Sequence, residues 1–461
     1  MIPGDNIEDQ QKLAATASES SEDSERKKPE DNRSVTFSWG IVLVRTKRLL
    51  NFLDSLARYR IFADLGWAFL AITIVAASFM VWLMLYQDYI LLTGSVALRC
   101  AIGAAPVSEC VAHGVVSNPL PPIQTYLLLP GINPVIPFVY GIVGIVVAVV
   151  VHEGTHGVIA RRLKLAVKST GVMFLLIIPI GAFVEIDEKQ IQKAKFRDTG
   201  RIMAGGPGSN IIVALIALAV LILIVGGLVP AHINGVYVQS IVPGSPADLL
   251  HSEHHLSAGD VIVAVNGTTV NSVENLSNYL SSTMPNQTLI LSIKHSGSIS
   301  NYSVILAQYP DPNVTKGFIG VGGAVDSNTL VTIRNTYSGS FFKNPILYLI
   351  VPGIISQANS VVPFSTELQG LYTSPVLGAA WYPLALTFFW IWFINANLAF
   401  FNAIPLYPLD GGQALLNFFS HFGRKWFELR AKMLTTAVSL VMLALILSFL
   451  LLPRILAAIP Y

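Results

Sequence analysis

The stretch VVVHEGTHGVIARRLK, residues 149–164, closes an apolar run with two histidines and a glutamate and then turns basic. Helical spacing puts His152 and His156 one turn apart on the same face, with Glu153 beside the first. Two imidazoles so placed can grip one metal ion. The adjacent carboxylate can take a proton from a water held at that ion.

Composition says where this helix lies. The chain has 461 residues, of which 53% are hydrophobic and only 12% charged, against about a quarter charged in an ordinary soluble protein. A net charge of +2 gives no electrostatic reason to expect nucleic acid. Crossing a bilayer takes roughly 20 mostly apolar residues. Five runs qualify: Leu65–Tyr86, Pro137–Val151 continuing through the histidines, Ile211–Leu228 extending back to Met203, Tyr382–Phe401 and Leu434–Leu452. Val172–Val184 is broken by Pro179 and Gly181, and reads as strands or a re-entrant hairpin. Pro345–Phe364, broken by Pro352 and Gly353, reads as interfacial or re-entrant.

Basic residues cluster before the first run, between Arg161 and Arg201, and from Arg424 to Lys432. By the positive-inside rule these segments and the N-terminus are cytoplasmic, so residues 88–135 and about 230–380 lie outside. Cys100 and Cys110, the chain's two cysteines, fall in the first outside loop, where a disulfide can form, although two buried thiols would read the same. Five N-x-S/T sequons, at Asn266, Asn275, Asn286, Asn301 and Asn313, fall in the second outside segment. The first 34 residues are polar and charged and read as a solvated tail.

An unpaired charge at membrane depth costs about 3 kcal/mol or more. His152, Glu153, His156 and Asp410 are the costly residues at or near that depth, and they lack obvious ion-pair partners in the spans. A divalent cation held by His152, His156 and Asp410 accounts for them together. Three protein ligands leave a fourth position open, the pattern of catalytic zinc.

These residues sit in motifs. HEGTH is followed by Gly206-Pro-Gly-Ser-Asn210 on the third run and by NAIPLYPLDG, Asn402–Gly411, at the end of the fourth, with GAFVE at Gly181–Glu185. In this order and on these segments the chain resembles the site-2 protease family of intramembrane zinc metalloproteases. The resemblance implies Zn2+ held by His152, His156 and Asp410, with Glu153 as general base. It implies that Asn402, with Asn210 assisting, contacts the substrate strand or its developing oxyanion, although a polar residue in a span also serves as an interhelical hydrogen bonder. It further implies a transmembrane protein as substrate, already trimmed by another protease, met within membrane lipid.

Residues from about 234 to 310 differ in composition. YVQSIVPGSPADLL, then LSAGDVIVAVNGTTV and TLILSIKHSG, alternate strand, turn and helix. They resemble a PDZ domain, which binds an extended peptide by strand addition and in such proteins filters or senses substrates. His251, His254 and His255 beside it read as a solvated cluster.

The expected architecture is therefore a polytopic α-helical membrane protein of about five transmembrane helices, with a membrane-associated β segment and a small α+β PDZ-like domain. Its division is a cytoplasmic tail at 1–34, a membrane part at 35–229 bearing HExxH, an extracytoplasmic PDZ-like domain at 230–325, and a second membrane part at 326–461 bearing the LDG motif. A prokaryotic cell membrane suits the length and low cysteine. Three other readings fit the sequence less well. An inactive PDZ-bearing scaffold would have no use for Glu153. A membrane-anchored HExxH protease working in water would draw its third ligand from a soluble domain. A proton-coupled transporter would show paired repeats.

Overall fold

In the computed structural model the described residues are 35–38, 41–48, 50–94, 129–133, 135–175, 178–252, 255–295, 297–311, 314–343, 366–421 and 427–458. The tail, both cysteines, His254, Asn313 and the 345–364 run lie outside them. Within them, five helices are long and apolar enough to cross a membrane.

In chain order the elements that matter are strands β1 (Val35–Ser38) and β2 (Ile41–Thr46), then helices α1 (Leu50–Ala57), α2 (Ile61–Thr93) and α3 (Phe138–Arg162). Strands β3 (Val167–Leu175) and β4 (Ile178–Ile186) lead to helix α4 (Phe196–Gly226). A soluble module follows, built of β5 (Val236–Ile241), α5 (Pro246–Ser252), β6 (Val261–Val265), α6 (Val273–Ser281), β7 (Thr288–His295), β8 (Ser298–Ile305) and β9 (Val321–Val325). After it come α7 (Ser327–Lys343), α8 (Trp381–Ala403), α9 (Asp410–His421) and α10 (Phe427–Ala458).

Helix α4 is the hub, packing against α2, α3, α8 and α9. Its N-terminal half, from Thr199 to Asn210, is almost wholly buried and rich in glycine, so neighbouring backbones come close. Trp390 and Phe389 of α8, with Leu221 and Val225 of α4, anchor the main membrane core. Helix α3 buries Gly141, Gly144, Ala148, His152 and His156. Steps of three and four residues are one face of a helix, so the face that packs the bundle also carries both histidines inward.

The β segment is larger than the sequence suggested. Strands β1 to β4 form one antiparallel sheet in that order, with β4 at an edge. The β-branched residues of VTFS…IVLVRT upstream of the first span favour β1 and β2. Because β2 pairs with β3 from Ile41↔Leu175 to Thr46↔Thr170, the N-terminal hairpin buttresses the segment expected before α4.

The structure refines where the charges lie. Asp410 follows the fourth span on a helix of its own: α8 ends at Ala403, and Pro405 and Pro408 keep the chain non-helical until Asp410 opens α9. The long helices also carry acids near their ends. Helix α2 spans 33 residues, about 50 Å at 1.5 Å per residue, and so runs past its apolar core to include Asp88. That carboxylate accepts from Ser448 Oγ at 2.6 Å, and Gln87 donates to Phe449 O at 3.2 Å, tying α2 to α10.

The soluble module has its own core, including Val236, Val238, Leu256, Ile262, Leu289, Leu291 and Ile293. Its main strands run β8-β7-β6-β5-β9. Asn266 and Gly267 both have positive φ, at 47° and 78°, and close a two-residue hairpin that only such residues accept easily. Strand β9, at the C-terminal limit of the stretch read as PDZ-like, completes the sheet at an edge. His251 bonds Leu256 O and His255 stacks on Tyr302.

Asp326 joins this module to α7. Its carboxylate accepts from Val273 N and Thr329 N, each at 2.7 Å, and from Thr329 Oγ1 at 2.9 Å. Burial alone would raise its pKa, but the amides of Thr329 and Val273 outweigh it and hold the carboxyl below its ordinary value. A folded pKa below the unfolded one means the stabilisation is complete above the unfolded value and is lost as pH falls through the folded one. Asp326→Ala should cost about 2 kcal/mol locally. Hydrogen exchange on the full chain should then run roughly 30-fold faster across Val273–Ser281 at pH 7. The wild-type segment should itself loosen as the pH drops below about 4.

Candidate active site

His152 Nε2 lies 2.9 Å from Asp410 Oδ2, and His156 Nε2 lies 3.3 Å from the same oxygen. The three ligand atoms fall within 4.8 Å of one another. Zinc–ligand bonds of about 2.0–2.1 Å at tetrahedral angles hold ligand atoms roughly 3.3 Å apart, so the cluster has the dimensions of a metal site. Both imidazoles are buried, and among the described residues no Lys or Arg pairs with the Asp410 carboxylate.

The chemistry of the donors also fits a metal. His156 Nδ1 lies 2.6 Å from the carbonyl of Ile202, which accepts its proton and leaves the Nε2 lone pair free toward Asp410. The cluster is formed by close approach of backbones. A Cβ on Gly206 would stand 2.5 Å from Nε2 of both His152 and His156, so α4 can back the imidazoles only with glycine at that position. One residue past Asp410, a Cβ on Gly411 would run into the carbonyls of Ala403 and Ile404. The tight entry into α9 brings Asp410 back under α3.

Glu153, one position round the helix, points to a cavity of about 200 Å³ that His152, Asn402, Leu409, Asp410, Gly181 and Ala182 also line. Its Oε2 accepts from Val184 N of β4 at 3.0 Å, so the edge strand runs directly past the carboxylate. Asn402 is at the cavity wall, with Nδ2 given to Leu398 O of its own helix at 3.0 Å and the rest of its amide available. Asn210 is elsewhere. It is fully buried behind the His152 ring, with Nδ2 3.3 Å from Nδ1, and is not among the residues that line the cavity. Its position against a histidine was unforeseen, since sequence spacing does not say which helix faces meet.

A buried imidazole pair, a carboxylate and an adjacent base, facing a cavity among apolar helices, define a membrane-embedded metallopeptidase. The model of Peptidase family M50 matches residues 140–446, and the chain belongs to that family, the site-2 proteases. An uncharacterised protein of Methanocaldococcus jannaschii is 26% identical over 302 residues, which cover 65% of this chain and 70% of that protein. A Lactococcus lactis protein named as a zinc metalloprotease is 26% identical over 251 residues, covering 51% of this chain and 52% of its own. Among solved structures, the PDZ domain of an SdrC-like protein from Listeria monocytogenes matches at 26% identity and a TM-score of 0.17, over 20% of this chain and 92% of that one. The protein is thus an integral membrane metalloprotease.

Gly206→Ala tests the close approach. Alanine at an ordinary helical glycine stabilises by about 1 kcal/mol. Here it should leave a folded protein whose bound metal, measured by elemental analysis after purification, drops at least about tenfold because the imidazoles are pushed out of place.

Proposed function

We propose that the enzyme hydrolyses a peptide bond within or next to a transmembrane helix of another membrane protein, using Zn2+ held by His152, His156 and Asp410. The observation that carries this reading is Glu153. It stands beside the ligand cluster, faces the cavity, and touches an edge strand able to hold an extended substrate.

Held by His152, His156 and Asp410, zinc would supply Lewis acidity toward a water and the scissile carbonyl. Glu153 would take one proton of the attacking water as its oxygen bonds the carbonyl carbon. It would then hand that proton to the departing amide nitrogen as the C–N bond breaks, leaving a carboxylic acid and an amine that ionise to carboxylate and ammonium. Asn402 lines the cavity, which supports a role in hydrogen-bonding the substrate chain or its developing oxyanion.

A helical substrate has its carbonyls engaged and must unwind before attack. Strand β4 offers a template. Val184 directs its N–H away from β3 to Glu153, and Ala182, two residues earlier on the same edge, lines the cavity. An unwound segment pairing along that edge would lie past the ligands and would displace Glu153 from Val184 N–H, freeing the base as substrate arrives. Substrates with a helix-weakening Gly, Pro or Asn are favoured. Arg161 and Arg162 end α3 one turn beyond the histidines, which supports a site nearer the cytoplasmic face, an N-terminus inside and the PDZ-like module outside. There the module would filter or sense substrates already trimmed by another protease, most simply in a prokaryotic cell membrane. The scaffold alternative gains nothing from Glu153 beside a complete ligand set.

Two variants divide the roles. Glu153→Gln should keep wild-type zinc content and lose cleavage of a single-span model substrate by a factor of about 10² or more. Asp410→Ala should lose both. Wild-type cleavage by the glutamine variant in detergent or liposomes would rule out Glu153 as the base.

A further inference from the structure

Asn210 departs from the pattern of its kind in this fold. Asn395, Asn397, Asn402 and Asn417 each donate Nδ2 to the carbonyl four residues back in their own helix, at 2.8, 2.8, 3.0 and 3.0 Å. In α4 the equivalent carbonyl, Gly206 O, accepts from Ser209 Oγ at 2.9 Å. Asn210 instead reaches across to α3, where its amide meets His152 Nδ1 at 3.3 Å. Its Oδ1 is buried and has no hydrogen-bond partner among the described residues. An unsatisfied buried polar group costs about 1–3 kcal/mol; Asn395 Oδ1 carries the same cost, but of these five asparagines Asn210 is the one whose amide turns onto a histidine ring.

We infer that Asn210 is a positioning residue that fixes which ring nitrogen His152 presents to the metal. The inference rests on the zinc reading above. A ligating imidazole bound through Nε2 carries its proton on Nδ1, where an acceptor holds the ring. For His156 that acceptor is the carbonyl of Ile202. For His152 the group facing Nδ1 is the Asn210 amide. As the atoms lie here, Nδ2 donates to Nδ1, and His152 Nε2–H donates to Asp410 Oδ2 at 2.9 Å. When Nε2 serves a metal, Nδ1–H needs an acceptor, and the same amide turned over presents Oδ1 in that place. Asparagine satisfies both arrangements. A carboxylate satisfies the second only, and an isosteric leucine neither. The unpartnered oxygen is the half of the amide reserved for the loaded state.

Three proteins purified in detergent test this: wild type, Asn210→Leu and Asn210→Asp. Zinc affinity is read by competition with a chromophoric chelator, and folding by the melting temperature of the metal-free forms. Asn210→Leu should bind zinc about 10–100-fold more weakly than wild type, with a metal-free melting temperature within a few degrees of it. Asn210→Asp should bind within a few-fold of wild type. Were Asn210 only a link between helices, both variants would lose stability, the buried carboxylate more, while zinc affinity of the folded fraction stayed unchanged. Wild-type affinity in the leucine variant overturns the inference. If the aspartate variant does not fold, the leucine affinity decides alone. Failure of wild type itself to bind zinc would instead overturn the zinc reading.

Discussion

Two imidazoles and a carboxylate share a space only a few ångströms across, inside a bundle whose outer surface is apolar, and the aspartate comes from 258 residues further along the chain than the first histidine. Each group would be costly alone at such a place. Together they form a set that a divalent cation would satisfy. Much of the surrounding structure reads as support for that meeting. Gly206 lets α4 lie against the rings, Gly411 lets α9 turn back beneath them, and Ile202 and Asn210 hold the far nitrogens of the two histidines.

The rest of the fold directs a chain to the cluster. Sheet β1–β4 leans its edge on α3, and the bond from Val184 to Glu153 fixes that edge within reach of the base. The distant ends of α2 and α10 are joined by Asp88 and Ser448. The β-rich module has a core of its own and is tied through Asp326 to α7, while Val325, Tyr237 and Val261 pack it onto the core around Trp390.

Periodicity and motif made the chemical elements legible. The HExxH pair needs only helical spacing, the spans need only apolar length, and the Asn-Gly hairpin follows from two residues that tolerate positive φ. Where Asp410 sits was harder. Its motif begins on α8, but Pro405 and Pro408 carry the aspartate off that helix onto the next, so membrane depth was a poor guide to its position. The β1–β2 hairpin is short and lies beside basic residues, so neither apolar length nor a motif marks it. Asp88 falls outside the apolar run Leu65–Tyr86, because apolar length underestimates a helix that continues to Thr93. The contact of Asn210 with His152 depends on how α3 and α4 are rotated against one another, and no local pattern encodes that.

The central claim is a metal between His152, His156 and Asp410, and zinc K-edge X-ray absorption on the purified full-length protein addresses it most directly. The account predicts one zinc per chain with two imidazole nitrogens at about 2.0–2.1 Å and oxygen completing a four-coordinate shell. A shell of six oxygens, a sulfur scatterer, or an unchanged spectrum when both histidines are replaced would contradict it.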